Sequence, residues 1–342
     1  MNPTQKRFVL IDANHLAHRY NNGMVNRLSF KVNGVRRDTT IANGMIKSIW
    51  RYSGMGVYPT AVCMDSPGRS RKELFRNMFP TETKSKDGGY KGDRVPAGGS
   101  LYEGLDMVKG VLNGAVTMIQ GFDYEADDLI MACINTIRGK FGTESVKIDV
   151  VTNDSDLLPL VDEQVSVFYR SMQGTYAESP ELVKTKYIQF TPRNFEEQVN
   201  RLSAYKVDNN KYIGVPYNCL LLNKILRGDE SDNIPGDKRA FPPRRLDEMY
   251  RAAVERGISI RFNQWEFVRD FIKGFLTEEE YEKYMPRIWA RYTLSDLNNN
   301  ICLLENGRTK IIRYPTRVVM PSKINEGVLR RNASVLGINL PM

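Results

Sequence analysis

Apolar residues along the chain gather in short runs that each end on an acid. Phe8 to Ile11 closes on Asp12, and Ala61 to Met64 closes on Asp65. Ile148 to Val151, interrupted by Asp149, leads into Thr152, Asn153 and Asp154. Compact runs of this kind, rich in β-branched residues and separated by helical stretches, predict parallel strands buried on both faces. The expected fold class is therefore α/β, a mostly parallel central sheet flanked by helices. In such sheets ligands collect beyond the carboxyl ends of the strands, where loops and helix amino termini converge. Each of the three runs delivers an Asp to that edge.

The helical pattern is clearest after Glu125, where Leu129, Ile130, Cys133, Ile134 and Ile137 repeat at the spacing of one buried face. The first turn of that helix carries Glu125, Asp127 and Asp128. From Asn194 to Leu226 the reading is helical but broken at Gly214 and Pro216, and Arg244 to Val254 predicts another helix after Pro242 and Pro243. Beyond Gly257 the chain reads as a smaller helical region rich in Arg and aromatics. The tail from Thr309 alternates Ile, Val and basic residues without an assignable pattern, and there is no internal repeat. Residues 1–193 are expected to form the α/β core and 194–342 a helical carboxyl-terminal region. Within the core, Thr81 to Ser100 holds almost no large apolar side chain, cannot bury much, and is expected to move. From Arg69 to Arg94 there are eight basic residues against four acidic ones. A solvated connection would look the same, but this one directly follows Asp65.

Composition narrows the chemistry. The 342 residues suggest two domains, or one core with a large appendage. Cys63, Cys133, Cys219 and Cys302 lie far apart with no C-x-x-C pair, and His15 and His18 are the only histidines, so zinc and dithiol chemistry have no ligand set. Scattered thiols, a four-residue apolar run near the amino terminus and no stretch of about 18 apolar residues give the expectation of a cytoplasmic protein, in a host's cytoplasm if phage-encoded. A net charge of +9 favours a polyanionic partner, though many surfaces of this charge bind nothing.

The acids of interest are Asp12, Asp65, Glu125, Asp127, Asp128, Asp154, Asp156, Asp229 and Asp232. Carboxylates converging on one edge repel unless cations answer them, and hard cations such as Mg²⁺ or Mn²⁺ suit oxygen ligands. Two such ions about 3.5 to 4 Å apart can activate a water and stabilise the leaving oxygen of a phosphodiester. Each motif also has a plainer reading. Acids in a first helical turn answer the macrodipole, those in TNDSD form turns, and those in GDESDN cap a helix. Asp12 and Asp65 resist it, because a carboxylate directly after a buried strand is costly without a partner.

Taken in order, LIDANHLAHRY around Asp12, AVCMDS around Asp65, YKGDR from Tyr90 to Arg94, GFDYEADDLI around Glu125, VVTNDSDLLPLV around Asp154 and LRGDESDNIPG around Asp229 resemble the 5′-nuclease family. That family includes flap endonucleases, the 5′-nuclease domain of bacterial DNA polymerase I, phage 5′-exonucleases and ribonucleases H. The resemblance covers residues 8 to 236 and implies a PIN-like core with a helical arch or clamp, here segment 69–104, that holds a 5′ end. It implies two Mg²⁺, with Mn²⁺ as substitute, one among Asp12, Asp65, Glu125, Asp127 and Asp128. The other would lie among Asp154, Asp156, Asp229 and Asp232. By motif Lys91 and Arg94 neutralise the scissile phosphate, and Asp154 and Asp156 join them in the catalytic set. Tyr90 stacks on a base or packs the arch, and Arg71 and Lys72 are candidate phosphate contacts.

After GDESDNIPG the chain continues DKRAFPPRRL, without the glycine hairpin with which many members hold potassium against duplex phosphates. The potassium site is not carried over, the helix-three-turn-helix is a modified one, and Lys238, Arg239, Arg244 and Arg245 are candidate direct contacts. In this respect the chain is more similar to the T-even phage ribonuclease H type than to the polymerase-domain type. The resemblance implies a metal-dependent 5′-3′ exonuclease or flap endonuclease, with ribonuclease H activity on RNA-DNA hybrids, leaving 5′-phosphate and 3′-hydroxyl ends in primer removal or repair. Its partners would be DNA and RNA-DNA hybrids, with recruitment by a sliding clamp or single-strand-binding protein left open, no membrane, and a monomeric state expected. The alternatives are a PIN-type single-strand ribonuclease and a catalytically silent protein that binds branched DNA.

Overall fold

In the computed structural model, residues 5–22, 27–66, 70–79, 89–91, 98–173, 184–204, 214–229, 232–262, 264–297, 301–305, 308–312 and 318–341 are described. Residues 69, 80–88 and 92–97 of the expected arch, Arg94 among them, lie outside them.

The chain opens with β1 (Lys6–Asp12) and α1 (Ala13–Asn22), then a hairpin of β2 (Ser29–Val32) and β3 (Val35–Asp38), and α2 (Thr40–Tyr52). β4 (Thr60–Met64) is followed by α3 (Ser70–Met78), α4 (Gly99–Leu112), β5 (Thr117–Gln120) and α5 (Ala126–Phe141). β6 (Val146–Thr152), β7 (Val165–Gln173) and β8 (Lys184–Phe190) complete the strands of the main sheet. The rest comprises α6 (Phe195–Ala204), α7 (Leu220–Arg227), α8 (Pro243–Glu255), α9 (Trp265–Lys273), α10 (Glu278–Ser295), the hairpin β9 (Ile301–Glu305) and β10 (Arg308–Ile312), and α11 (Glu326–Ser334). No helix among the described residues is long and apolar enough to cross a membrane.

The main sheet has the order β5-β4-β1-β6-β7-β8, with its first five strands parallel and β8 antiparallel to β7. This is the mostly parallel, helix-flanked sheet expected. Alternation along β1 sends Phe8 and Leu10 to one face and Val9 and Ile11 to the other, and all four are buried. The first face packs on α5 and continues through α7, α8, α9 and α10. The second packs on α1, α2 and α4. Each apolar run in the sequence is therefore a strand whose side chains are covered from both sides.

The tail behaves in a way its alternating pattern did not announce. After the β9–β10 hairpin the chain returns to the amino-terminal half, where Ile324, Leu329, Ala333, Leu336, Ile338 and Leu340 join the core of α2 and α4. The Thr60 amide donates to the Ser322 carbonyl at 2.9 Å, and the Trp50 indole to the Pro341 carbonyl at 3.0 Å. Leu329 and Ala333, four residues apart, form the buried face of α11 against α4, whereas Leu336, Ile338 and Leu340 alternate without pairing into a strand among the described residues.

Candidate active site

Register sets the edge of the site. Asp12 is paired with Cys63, so β1 and β4 end together and Asp65 emerges just past that row. Ile11 is paired with Val151, which puts Thr152 and Asp154 on the other side of Asp12. The Thr152 hydroxyl donates to Asp12 at 2.9 Å, and the His15 amide, in the first turn of α1, donates to its other oxygen at 3.1 Å. Asp12 is buried, and burial raises its pKa while the neighbouring His15 opposes the rise.

Next to it, Asp154 accepts a bond from its own Asp156 amide at 2.9 Å and faces His15 Nε2 at 3.1 Å. Burial would raise the Asp154 carboxyl, but the charge and hydrogen bond of His15, helped by Lys224, hold it far below the usual carboxylate range. Burial lowers the His15 pKa, but Asp12, Asp154 and Asp65 more than compensate and push it up to about 10. His15 therefore sits as an imidazolium between two acids.

Asp65 stands at the open mouth of the cleft, but its carboxylate turns inward and accepts the Ala126 amide at the start of α5, at 2.7 Å. Loss of water around that carboxylate, with the charges of Asp12, Glu125 and Asp127, pushes its pKa up to about 7. The first turn of α5 then brings Glu125, Asp127 and Asp128 together, the Asp128 carboxylate accepting the Glu125 amide at 3.1 Å. This bond is a cap, as the plainer reading allowed, yet the outward oxygens of these acids meet cations. Arg71 of α3 bonds Glu125 at 2.8 Å and Asp127 at 3.4 Å, and its other terminal nitrogen bonds Asp128. Lys91 Nζ lies 2.8 Å from both oxygens of Glu125. Burial and the adjoining acids still leave Asp128 with a pKa of about 8.

Across the cleft, Asp156, Asp229 and Asp232 place ligand oxygens within 4.8 Å of one another. Lys224 of α7 lies between them, 3.0 Å from Asp156 and 3.0 Å from Asp229. Asp229 and Asp232 come from a loop closed on itself by paired bonds between Asp229 and Ile234, both 2.8 Å. Burial pushes the Asp232 pKa up to about 6, against the pull of Lys91 and Lys224. The Lys91 amide also donates to the Asp232 carbonyl at 3.2 Å, so residue 91, at φ +56°, is joined to both acidic groups.

The nine acids thus fall into three neighbouring sets: Glu125, Asp127 and Asp128 with Asp65 at their amide end; Asp12 with Asp154; and Asp156 with Asp229 and Asp232. Two participants carried no signal strong enough to single out. His15 is visible only as a histidine three residues after Asp12, and Lys224 only as a lone cation inside LLLNKILR, where every residue but Arg227 is buried.

The basic residues separate more widely. Arg71 faces the acids, whereas Lys72 is exposed. The Tyr90 ring is buried against Phe75 at 6.4 Å, and its hydroxyl lies 3.3 Å from Glu125. Arg245 is engaged with Glu280 at 2.9 Å and the Ala240 carbonyl at 2.7 Å. Lys238, Arg239 and Arg244 are exposed along the approach to α8.

The donor set fits divalent cations. It is all oxygen, several carboxyls carry raised pKa values because burial strips water from them and neighbouring acids add to the rise, and the chain's own cations occupy the gaps between them. Among the described residues, Asp156, Asp229 and Asp232 are close enough together to share one cation.

Residues 7–199 match the family described as 5'-3' exonuclease, N-terminal resolvase-like domain. A DNA polymerase I from Caldicellulosiruptor bescii is 32% identical over 179 residues, which is 52% of this chain but only 17% of that protein. A 5'-3' exonuclease from Bacillus subtilis is 29% identical over 225 residues, 64% of this chain and 59% of its own. Among solved structures, the T5 D15 protein co-crystallized with metal ions shares the fold at a TM-score of 0.52 and 15% identity, over 85% of this chain and 90% of that one.

Proposed function

Because this chain belongs to the 5'-3' exonuclease family, we propose that it is a divalent-metal-dependent, structure-specific 5′ nuclease. Its substrates are flaps, nicked or gapped duplexes, and RNA annealed to DNA. The observation that carries this reading is the pair of acidic groups facing each other across one sheet edge, Glu125 to Asp128 on one side and Asp156, Asp229 and Asp232 on the other, with Lys91 joined to both.

Bound divalent cations would supply a hydroxide at neutral pH and charge stabilisation on the phosphoryl oxygens. The chain's own residues do the rest. Lys91, held by Glu125, presents its ammonium at the mouth of the arch, where an incoming phosphate oxygen replaces the carboxylate as its partner. Arg94 adds a second charge to the same phosphate. His15 keeps Asp154 ionised and oriented, and Thr152 orients Asp12 through a hydrogen bond to the carboxylate. Exposed Lys72, Lys238, Arg239 and Arg244 grip the phosphates of the flanking strands without reading bases.

The test is a product-length gel on a 5′-labelled flap, a nicked duplex and an RNA-primed duplex, each with Mg²⁺, with Mn²⁺ and with chelator. Metal-dependent release of short 5′ products is expected from all of them. Intact substrates under every metal condition sink the reading, and if a labelled single-stranded RNA run beside them is the one substrate cut, the reading becomes that of a PIN-type ribonuclease.

A further inference from the structure

The loop that carries Asp229 and Asp232 runs between α7 and α8 and presents two buried carboxylates to Asp156. Something must hold it. Part of the answer is local: the backbone at Gly228 and Gly236 is in direct contact, so close that a methyl group on Gly236 would lie 1.7 Å from the Arg227 carbonyl oxygen. The remainder comes from far away in sequence. Arg291 of α10 is fully buried, and each guanidinium nitrogen bonds a different point around the neck of the loop. Nε donates to the Ile225 carbonyl at the end of α7, one terminal nitrogen to the Pro235 carbonyl at 3.1 Å, and the other to the Asp237 carboxylate at 2.8 Å.

The same helix is anchored to the arch. Ala290 and Leu294 pack with Leu74, Phe75 and Phe79 of the α3 segment and with Tyr90, and Ile234 of the loop belongs to this cluster. Arg287, one turn before Arg291, stacks over the Phe79 ring at 5.7 Å and lies 3.5 Å from Asp237. One rigid element thus touches both the helix that bears Arg71 and the loop that bears Asp229 and Asp232.

Burying a guanidinium is costly, and replacing a buried ion pair by apolar side chains of similar volume is often neutral or stabilising. Burial presses the Arg291 pKa down while Asp237 supports the charged form. Stability alone is therefore a poor reason for a charge here. A planar fork that closes a loop at three points is a good one, since groups that orient cation ligands influence affinity strongly.

We propose that Arg291 is a positioning residue for the cation site formed by Asp156, Asp229 and Asp232, clamping their loop against α10 from outside that site. This rests on the metal-dependent reading above. The experiment is a Mn²⁺ titration of the full chain, followed by the electron paramagnetic resonance signal of free Mn²⁺, on the wild type, Arg291→Met, Arg291→Lys and Asp237→Asn. Thermal unfolding is recorded on each.

Arg291→Met, which leaves Asp237 facing Arg287 at 3.5 Å, is expected to unfold cooperatively at a lower temperature than wild type while losing about 10- to 100-fold in affinity at one class of Mn²⁺ site. Arg291→Lys keeps the charge without the fork and should recover part of that loss. A wild-type titration curve from natively folded Arg291→Met overturns the proposal. If the Met variant does not fold, Asp237→Asn, which weakens one arm of the clamp, decides by the same measurement: weakened uptake supports it and unchanged uptake overturns it. A wild-type protein that takes up no Mn²⁺ overturns the metal reading and this inference together, an outcome distinct from the unchanged variant.

Discussion

A carboxylate at the end of a buried strand needs an answering charge, and at this edge each set of acids has one from the chain itself. His15 answers Asp12 and Asp154, Arg71 and Lys91 answer the first turn of α5, and Lys224 answers Asp156 and Asp229. Removing an acid should uncouple cleavage from binding: Asp156→Asn is expected to lower the cleavage rate at least about 100-fold while a fluorescent flap binds within a few-fold of wild type. Lys91→Ala should act on the rate as well, by a similar factor, seen as a fall in kcat on flaps larger than any change in KM. The protonation balance has a definite sign. Asp128 and Asp232 have folded-state pKa values of about 8 and about 6, above the ordinary carboxylate value, so the metal-free fold binds more protons than the unfolded chain from about pH 4 upward. His15, raised to about 10, adds stability that is complete below about pH 6.5 and fades toward pH 10. All of these terms make the metal-free protein lose stability as pH rises. Chelator should therefore lower the thermal midpoint more at pH 8 than at pH 6, a difference read directly by scanning fluorimetry with and without Mg²⁺.

At the scale of elements, the site is assembled by pieces that meet only at their ends. β1, β4 and β6 contribute their carboxyl termini, α5 its first turn, α7 a single lysine, and the 228–236 loop two acids. The loop is the most demanding, because Gly228 lies at φ +77° against the backbone of Gly236. Gly236→Ala forces a methyl into the Arg227 carbonyl and cannot be relieved by moving a side chain. It is expected to cost about 2 kcal/mol or more in urea unfolding and to weaken Mn²⁺ uptake. Gly139, in the last turn of α5 with open space around it, is the matched control: Ala there should be neutral or stabilising.

Over the whole molecule the net charge of +9 is a sum of unlike regions. An acidic edge lies within a surface that carries Lys72, Lys238, Arg239 and Arg244 toward solvent. Binding of a flap duplex should weaken linearly in log affinity against log salt, and Arg244→Ala should reduce the slope by about 0.9 if that side chain neutralises one phosphate. An unchanged slope would place Arg244 outside the footprint. The parallel sheet, the strand-end aspartates, the α5 start and the acid-rich loop were all legible in the sequence, because apolar run length, helical period and residue type are local properties. The tail from 318 and the partners of Lys224 and Arg291 were not. A lone lysine in LLLNKILR or an arginine in RIWARYTLS has the same local pattern whether it faces water or an acid 60 residues away. The sequence by itself determined which chemistry is available: oxygen ligands, few histidines and a basic surround. Only the tertiary structure decided which acid pairs with which lysine, arginine or histidine and which distant helix meets the 228–236 loop, since charge pairing acts across space between groups that chain order leaves far apart.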